Sequence, residues 1–310
     1  MHKKILLAVD NTPPSKMAVR YAAQMSKIVP DLHFVLLNIQ PMVSQFLRDD
    51  ARKSAAARKQ LEKVQNKHVQ SSQELLKDYR REMESQGIHA DQIETRTQPR
   101  NLGYAKDIID AAQERDYDAI VVGRRGLSGI AKLYAGSVTT DILEQSQVIP
   151  VWLVDGTASA GDLLLAVDGS EASLRMIDHV SFMLTGARDA SITMLHITNS
   201  ANNYCEIDLD ESVAPELDKI VRRGDKACID QFYSHAIQKF EQAGLDAGRV
   251  SFETVEAGRR IGNAIVDFAR DRKFQTLVVG RRGQAKSFFM GSVSRHLINN
   301  LSDGTLWIVP

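Results

Sequence analysis

Asp10 closes the apolar run ILLAV, and farther along a second apolar run leads into Gly123, two residues, Gly126, nine residues, Gly136 and then Ser137. Glycine allows positive φ and close backbone approach, and the amides of Gly136, Ser137 and Val138 would stand unpaired at the start of a helix. Such a helix start draws phosphate through hydrogen bonds and dipole together, and the Ser137 hydroxyl adds a donor. The chemistry suggested is therefore anion binding. Arg124 and Arg125 either screen phosphate charge or merely keep a surface loop soluble, and Asp10 either meets a ligand or caps the helix after it.

The hexamer VVGRRG holds the first two of these glycines, at Val121 to Gly126, and returns at Val278 to Gly283, 157 positions later. Here only seven residues separate Gly283 from Gly291, which Ser292 and Val293 follow. The familiar nucleotide motifs are absent: no G-x-x-x-x-G-K-[ST], no G-x-G-x-x-G after the first strand and no G-x-S-x-G elbow.

The elements that must position these residues are duplicated too. KKILLAVD reads as a strand buried on both faces, and Thr12 followed by two prolines as a helix start, with Met17, Tyr21, Met25 and Ile28 at helical spacing. FVLLNI, QIETRT (a weak strand), YDAIVVG and IPVWLV supply further strands, and helices begin near Asn101 and at SVTTDILEQS. DLLLAVDGS, SITMLHIT, VSFETVE, FQTLVVG and GTLWIV repeat that order, with Trp152 and Trp307 in matching places. Alternating strands and helices predict right-handed crossovers, hence an α/β fold of two tandem doubly wound parallel sheets. The domains span 1–155 and 160–310, separated within DGTASAGD. Ligands of such sheets gather at the carboxyl ends of strands one and four, where Asp10 and Gly123, or Asp168 and Gly280, would meet.

Between Ser44 and about Gln86 a long amphipathic helix is expected, continuous or broken once, with Leu61, Val64, Leu75, Leu76 and Met83 at intervals along it. Its basic positions Arg52, Lys53, Arg58, Lys59 and Lys63 read as a solvated face beside Asp49, Asp50 and Glu62, or as a partner contact. The 310 residues are 43% apolar and 25% charged, with 39 basic and 39 acidic residues, which gives no global field toward nucleic acid or membrane. Cys205 and Cys228 have no metal or disulfide spacing, and the histidines, His33 and His196 among them, read as ordinary core or surface residues. No apolar stretch suits export or a membrane span, so a cytoplasmic location is expected.

Both halves resemble universal stress protein domains, through the pattern Gly123, Gly126, Gly136, Ser137 and the AVD that ends the first strand. The resemblance covers nearly the whole chain and implies an adenine nucleotide alpha hydrolase-like fold, five parallel strands in order 3-2-1-4-5. It further implies ATP as ligand, leaves an accompanying magnesium ion open, and implies an intrachain pseudo-dimer paired through the fifth strands. Carried over, Asp10 and Ile39 contact the adenosine, Gly123 lies beside the ribose, and Gly126, Gly136, Ser137 and Val138 hold phosphates. A possible second site comprises Asp168, Ile197, Gly280, Gly283, Gly291, Ser292 and Val293. The shortened loop there, and DNTPPS in place of DGS in the first half, are departures from the pattern.

The functional expectation is an ATP-binding regulator of the stress response whose site is best kept in the first half, with no fast hydrolysis, slow turnover or autophosphorylation staying open. The alternatives are a non-catalytic interaction scaffold with degenerate clefts, or a binder of another small or lipid-like ligand. A protein partner and further homo-oligomers are left open.

Overall fold

Runs of β-branched and leucine residues flanked by Asp and Gly become short strands, and the amphipathic stretches between them become helices that cover both faces. In the computed structural model the described residues are 2–124, 137–156, 159–187, 189–199, 214–257, 260–282 and 290–310. They form two compact units, one built on Met1–Ser26 and Asp31–Asp155, the other on Lys27–Pro30 and Gly156–Pro310.

The first unit runs β1 (Lys3–Ala8), α1 (Pro13–Met25), β2 (Leu32–Gln40), α2 (Gln45–Ala51), α3 (Ala55–Ser85), β3 (Ile93–Pro99), α4 (Tyr104–Gln113), β4 (Ala119–Gly123), α5 (Ser137–Gln145) and β5 (Val151–Val154). Its strands are parallel and lie in the order β3-β2-β1-β4-β5. The second runs β6 (Asp162–Val167), α6 (Glu171–Leu184), β7 (Ser191–Asn199), α7 (Ala214–Gln242), β8 (Val250–Ala257), α8 (Ile261–Asp271), β9 (Thr276–Gly280), α9 (Ser292–Asn300) and β10 (Thr305–Val309), with order β8-β7-β6-β9-β10. Both orders match the expected 3-2-1-4-5, and from Ile93 on the stretch QIETRT is a full strand, paired residue for residue with β2.

The long helix is interrupted at Arg52–Ser54, and each part starts on a serine cap, Ser44 accepting from the Leu47 amide and Ser54 from the Ala57 amide. Ser72, Leu76, Tyr79 and Met83 make the buried stripe of α3, a spacing of four, three and four residues that keeps one face inward. The basic positions Arg52, Lys53, Arg58, Lys59 and Lys63 are exposed. After α3 and α7 the chain turns at Gly87 (φ 94°) and Gly244 (φ 83°), positions that need the left-handed region.

The two cores repeat in detail. Trp152 and Trp307 are both fully buried, opposite Val121 and Val278. Each meets an aromatic of its unit's first helix edge-on, Tyr21 at 6.3 Å and His179 at 5.9 Å between ring centroids. Among the described residues no helix is long and apolar enough to cross a membrane.

Candidate functional site

The strand ends of the first unit open into a cavity of about 930 Å³. Its floor is laid by Ala8, Val9 and Asp10 after β1, Leu37, Asn38 and Ile39 on β2, and Val122 and Gly123 on β4. One wall comes from α3, through His68, Ser71, Ser72, Glu74, Leu75 and Asp78. The other comes from Arg100, from Tyr104 and Ile108 of α4, and from Val138, Thr139 and Ile142 of α5. Right-handed crossovers put α1 and α3 on one face of the sheet and α4 and α5 on the other, and each pair packs together.

Asp10 is fixed locally. Its Oδ1 accepts from the hydroxyls of Ser15, at 2.7 Å, and Thr12, while its own amide donates to Ser15 Oγ at 3.0 Å. Thr12 stands at the expected N-cap position but makes no side-chain cap. Pro13 and Pro14 explain why: with no N–H at the first two helical positions there is less to cap, and the threonine hydroxyl turns back to the carboxylate. In the second unit, where DGS precedes α6, Ser170 caps the Ser173 amide at 3.3 Å, and Asp168 Oδ1 accepts from the Ser173 hydroxyl at 2.8 Å and the Ser170 amide at 3.1 Å. Both halves thus carry a serine five residues after the strand-end aspartate, a signal the sequence reading passed over.

A largely buried polar chain runs from the cavity lining into the sheet. Asn38 donates to the Val9 carbonyl at 2.7 Å and accepts from Ser72 at 2.6 Å; Ser72 also meets Thr97, which accepts from Gln40 at 2.9 Å. One turn pair farther along α3, Tyr79 donates to the Asp10 carbonyl at 2.8 Å. Burial, with the charges of Asp10 and Glu82 adding to it, pushes the Tyr79 phenol up to about 12, so it stays a donor. At the place of Asn38 the second unit has His196, whose Nδ1 bonds the Val167 carbonyl at 3.1 Å.

Of the first set of candidates, Asp10, Ile39, Gly123 and Val138 line this one cavity together. Gly126 and Gly136 lie outside the described residues; Ser137 opens α5, but its side chain is outside them as well. Arg124 is buried, with Nη1 3.3 Å from the Asp155 carboxylate, and Arg125 lies outside the described residues. In the second set, Asp168 follows β6 and Gly280 ends β9, as Asp10 follows β1 and Gly123 ends β4; Ile197 lies on β7, and Gly283 is outside the described residues. Gly291 caps α9, followed by Ser292 and Val293, and its amide donates to the Arg281 carbonyl at 2.9 Å rather than standing unpaired. The sequence reading did not foresee the α3 wall or the pair Arg100 and Tyr104.

The model of the Universal stress protein family matches residues 1–155 and again 161–309. A curated universal stress protein of Mycolicibacterium smegmatis is 26% identical over 200 residues; the match takes in 62% of this chain and spans 63% of that relative's length, less than two thirds. Among solved structures, a universal stress protein from Archaeoglobus fulgidus superposes with a TM-score of 0.67 at 17% identity, over 99% of this chain and 97% of its own. A protein of unknown function from Pseudomonas aeruginosa superposes with 0.64 at 12% identity, over 99% and 92%. These likenesses are to the fold.

Proposed function

The chain belongs to the universal stress protein family, and from that premise we propose that its first unit binds an adenine nucleotide, ATP first among them, and acts as a nucleotide-dependent regulator. The observation that carries the reading is the convergence of Asp10, Ile39, Gly123 and Val138 on one cavity at the carboxyl ends of the strands. Its volume of about 930 Å³ is generous enough for a nucleotide, and its mixed lining offers apolar contact to a base beside hydroxyl and carboxylate partners for a ribose. Phosphates would go to the first turn of α5, where Val138 and Thr139 line the cavity. Magnesium would arrive with the phosphates, which commonly supply much of its coordination. The second unit is the weaker candidate, since its loop is shorter and the Gly291 amide is already engaged.

The test is calorimetric titration of the full-length protein, stripped of co-purified nucleotide, with ATP and magnesium. Binding near one ATP per chain, lost in Asp10→Ala and kept in Asp168→Ala, is the expected result. No heat with ATP, ADP or AMP would overturn the reading, and two per chain would bring the second cleft into it.

A further inference from the structure

A cavity that takes an anionic ligand needs positive charge; of the two arginines in the glycine pattern, Arg124 is paired with Asp155 at 3.3 Å and Arg125 lies outside the described residues. Arg100 is the lysine or arginine that lines the cavity among the described residues. Its amide is anchored on the Gln40 carbonyl at 3.2 Å, and its guanidinium carbon lies 4.9 Å from the centre of the Tyr104 ring. No carboxylate stands within ion-pair distance of it among the described residues. Nε is buried with no hydrogen-bond acceptor, and Nη2 reaches nothing better than the Met42 sulfur at 4.0 Å. A guanidinium held by an aromatic ring with donor capacity left over is the arrangement that recognises phosphate or carboxylate.

The charges across the cavity are sorted by wall. Glu74 and Asp78 stand on α3 and Asp10 on the floor, while Arg100 stands just before α4, beside the α5 turn that Val138 and Thr139 bring to the same cavity. An anionic group is therefore repelled from the first wall and drawn to the second. The two units differ here: Gln40 pairs with Pro99 and the equivalent Thr198 with Glu256, so Arg100 corresponds to Ala257.

We propose that Arg100 holds an anionic group of the ligand bound in the first unit, and so sets its preference for phosphorylated over neutral ligands. The assignment rests on the nucleotide reading of the cleft and adds to it a contact outside the glycine pattern.

Full-length wild type, Arg100→Gln and Arg100→Lys are titrated with ATP and with adenosine, after thermal unfolding has shown that the variants fold. The expected result is an ATP affinity lowered about ten-fold in Arg100→Gln and partly restored in Arg100→Lys, with adenosine changed less than about two-fold. Unchanged ATP affinity overturns the proposal, and so does an equal loss for ATP and adenosine, which would mean that Arg100 only shapes the cavity. If wild type binds neither, the nucleotide reading fails by itself and inorganic pyrophosphate becomes the probe. Pyrophosphate binding weakened about ten-fold by Arg100→Gln keeps the proposal; equal or absent binding ends it. Should Arg100→Gln fail to fold, Arg100→Met, which retains an unbranched stem over Tyr104, replaces it in each arm.

Discussion

Gly123 passes so near Pro14 that a Cβ placed on it would lie 2.2 Å from the Pro14 carbonyl oxygen. The end of β4 thus packs directly on the first turn of α1, and the contact is with backbone, which cannot swing away. Gly123→Ala is expected to destabilise the first unit by about 1–3 kcal/mol, read from urea unfolding. Gly280→Ala should cost less, because there the new atom would meet the Ala172 side chain at 3.0 Å and the Arg282 carbonyl at 3.1 Å. Equal losses at the two sites would contradict this packing argument.

His179 is half-buried beside Trp307, and the desolvation of its ring lowers its pKa to about 4. Its folded value lies below the unfolded value near 6.5, so the neutral ring favours folding above that pH, and the contribution disappears as pH falls from about 6.5 through about 4. The loss approaches roughly 3 kcal/mol at the acid end. His179→Phe, which retains a ring against Trp307, should flatten this part of the stability profile measured by denaturant titration at stepped pH.

Tyr79 gives the opposite limb. With its phenol raised to about 12, the protonated form contributes stability that is complete below the unfolded value near 10 and is lost as pH climbs through about 12. Tyr79→Phe removes the bond to the Asp10 carbonyl, at a cost of about 1 kcal/mol near neutrality, and should abolish the alkaline loss. Ultraviolet titration of the phenols would show one late-ionising tyrosine missing in the variant.

Ser15 both donates to Asp10 Oδ1 and accepts from the Asp10 amide. Ser15→Ala should cost about 1 kcal/mol of stability and weaken ATP binding as the carboxylate loses its restraint. Ser173→Ala breaks the same pair of bonds at Asp168 and should cost a similar amount with ATP affinity unchanged.

The sheets were legible because a parallel strand covered on both faces is written as an unbroken apolar run, and ILLAV or LVVG leaves little else to infer. Duplication reinforced each assignment, even for QIETRT, whose alternating charges mark an edge strand. The strand-end positions of Asp10, Ile39 and Gly123 followed from the same logic. What stayed hidden depends on contacts distant in sequence. Ser72 and Tyr79 read as polar interruptions of an amphipathic helix until Asn38 and the Asp10 carbonyl are seen beside them, and nothing local distinguishes Arg100, which lines the cavity, from Arg124, which turns to Asp155. Thr12 failed as a cap for a reason that was in plain sight, the two prolines after it.

Ser72 and Tyr79 lie seven residues apart, two turns on one side of α3, and each fastens that helix to the floor of the cavity. A wall secured at two levels cannot hinge outward at either without breaking buried hydrogen bonds. The conformational entropy of this side of the cleft is therefore lost when the chain folds and not when a ligand arrives. On the α3 side the cleft behaves as a mould and not as a clamp, and molecules of different outline will be separated by how well they match a shape that is already set.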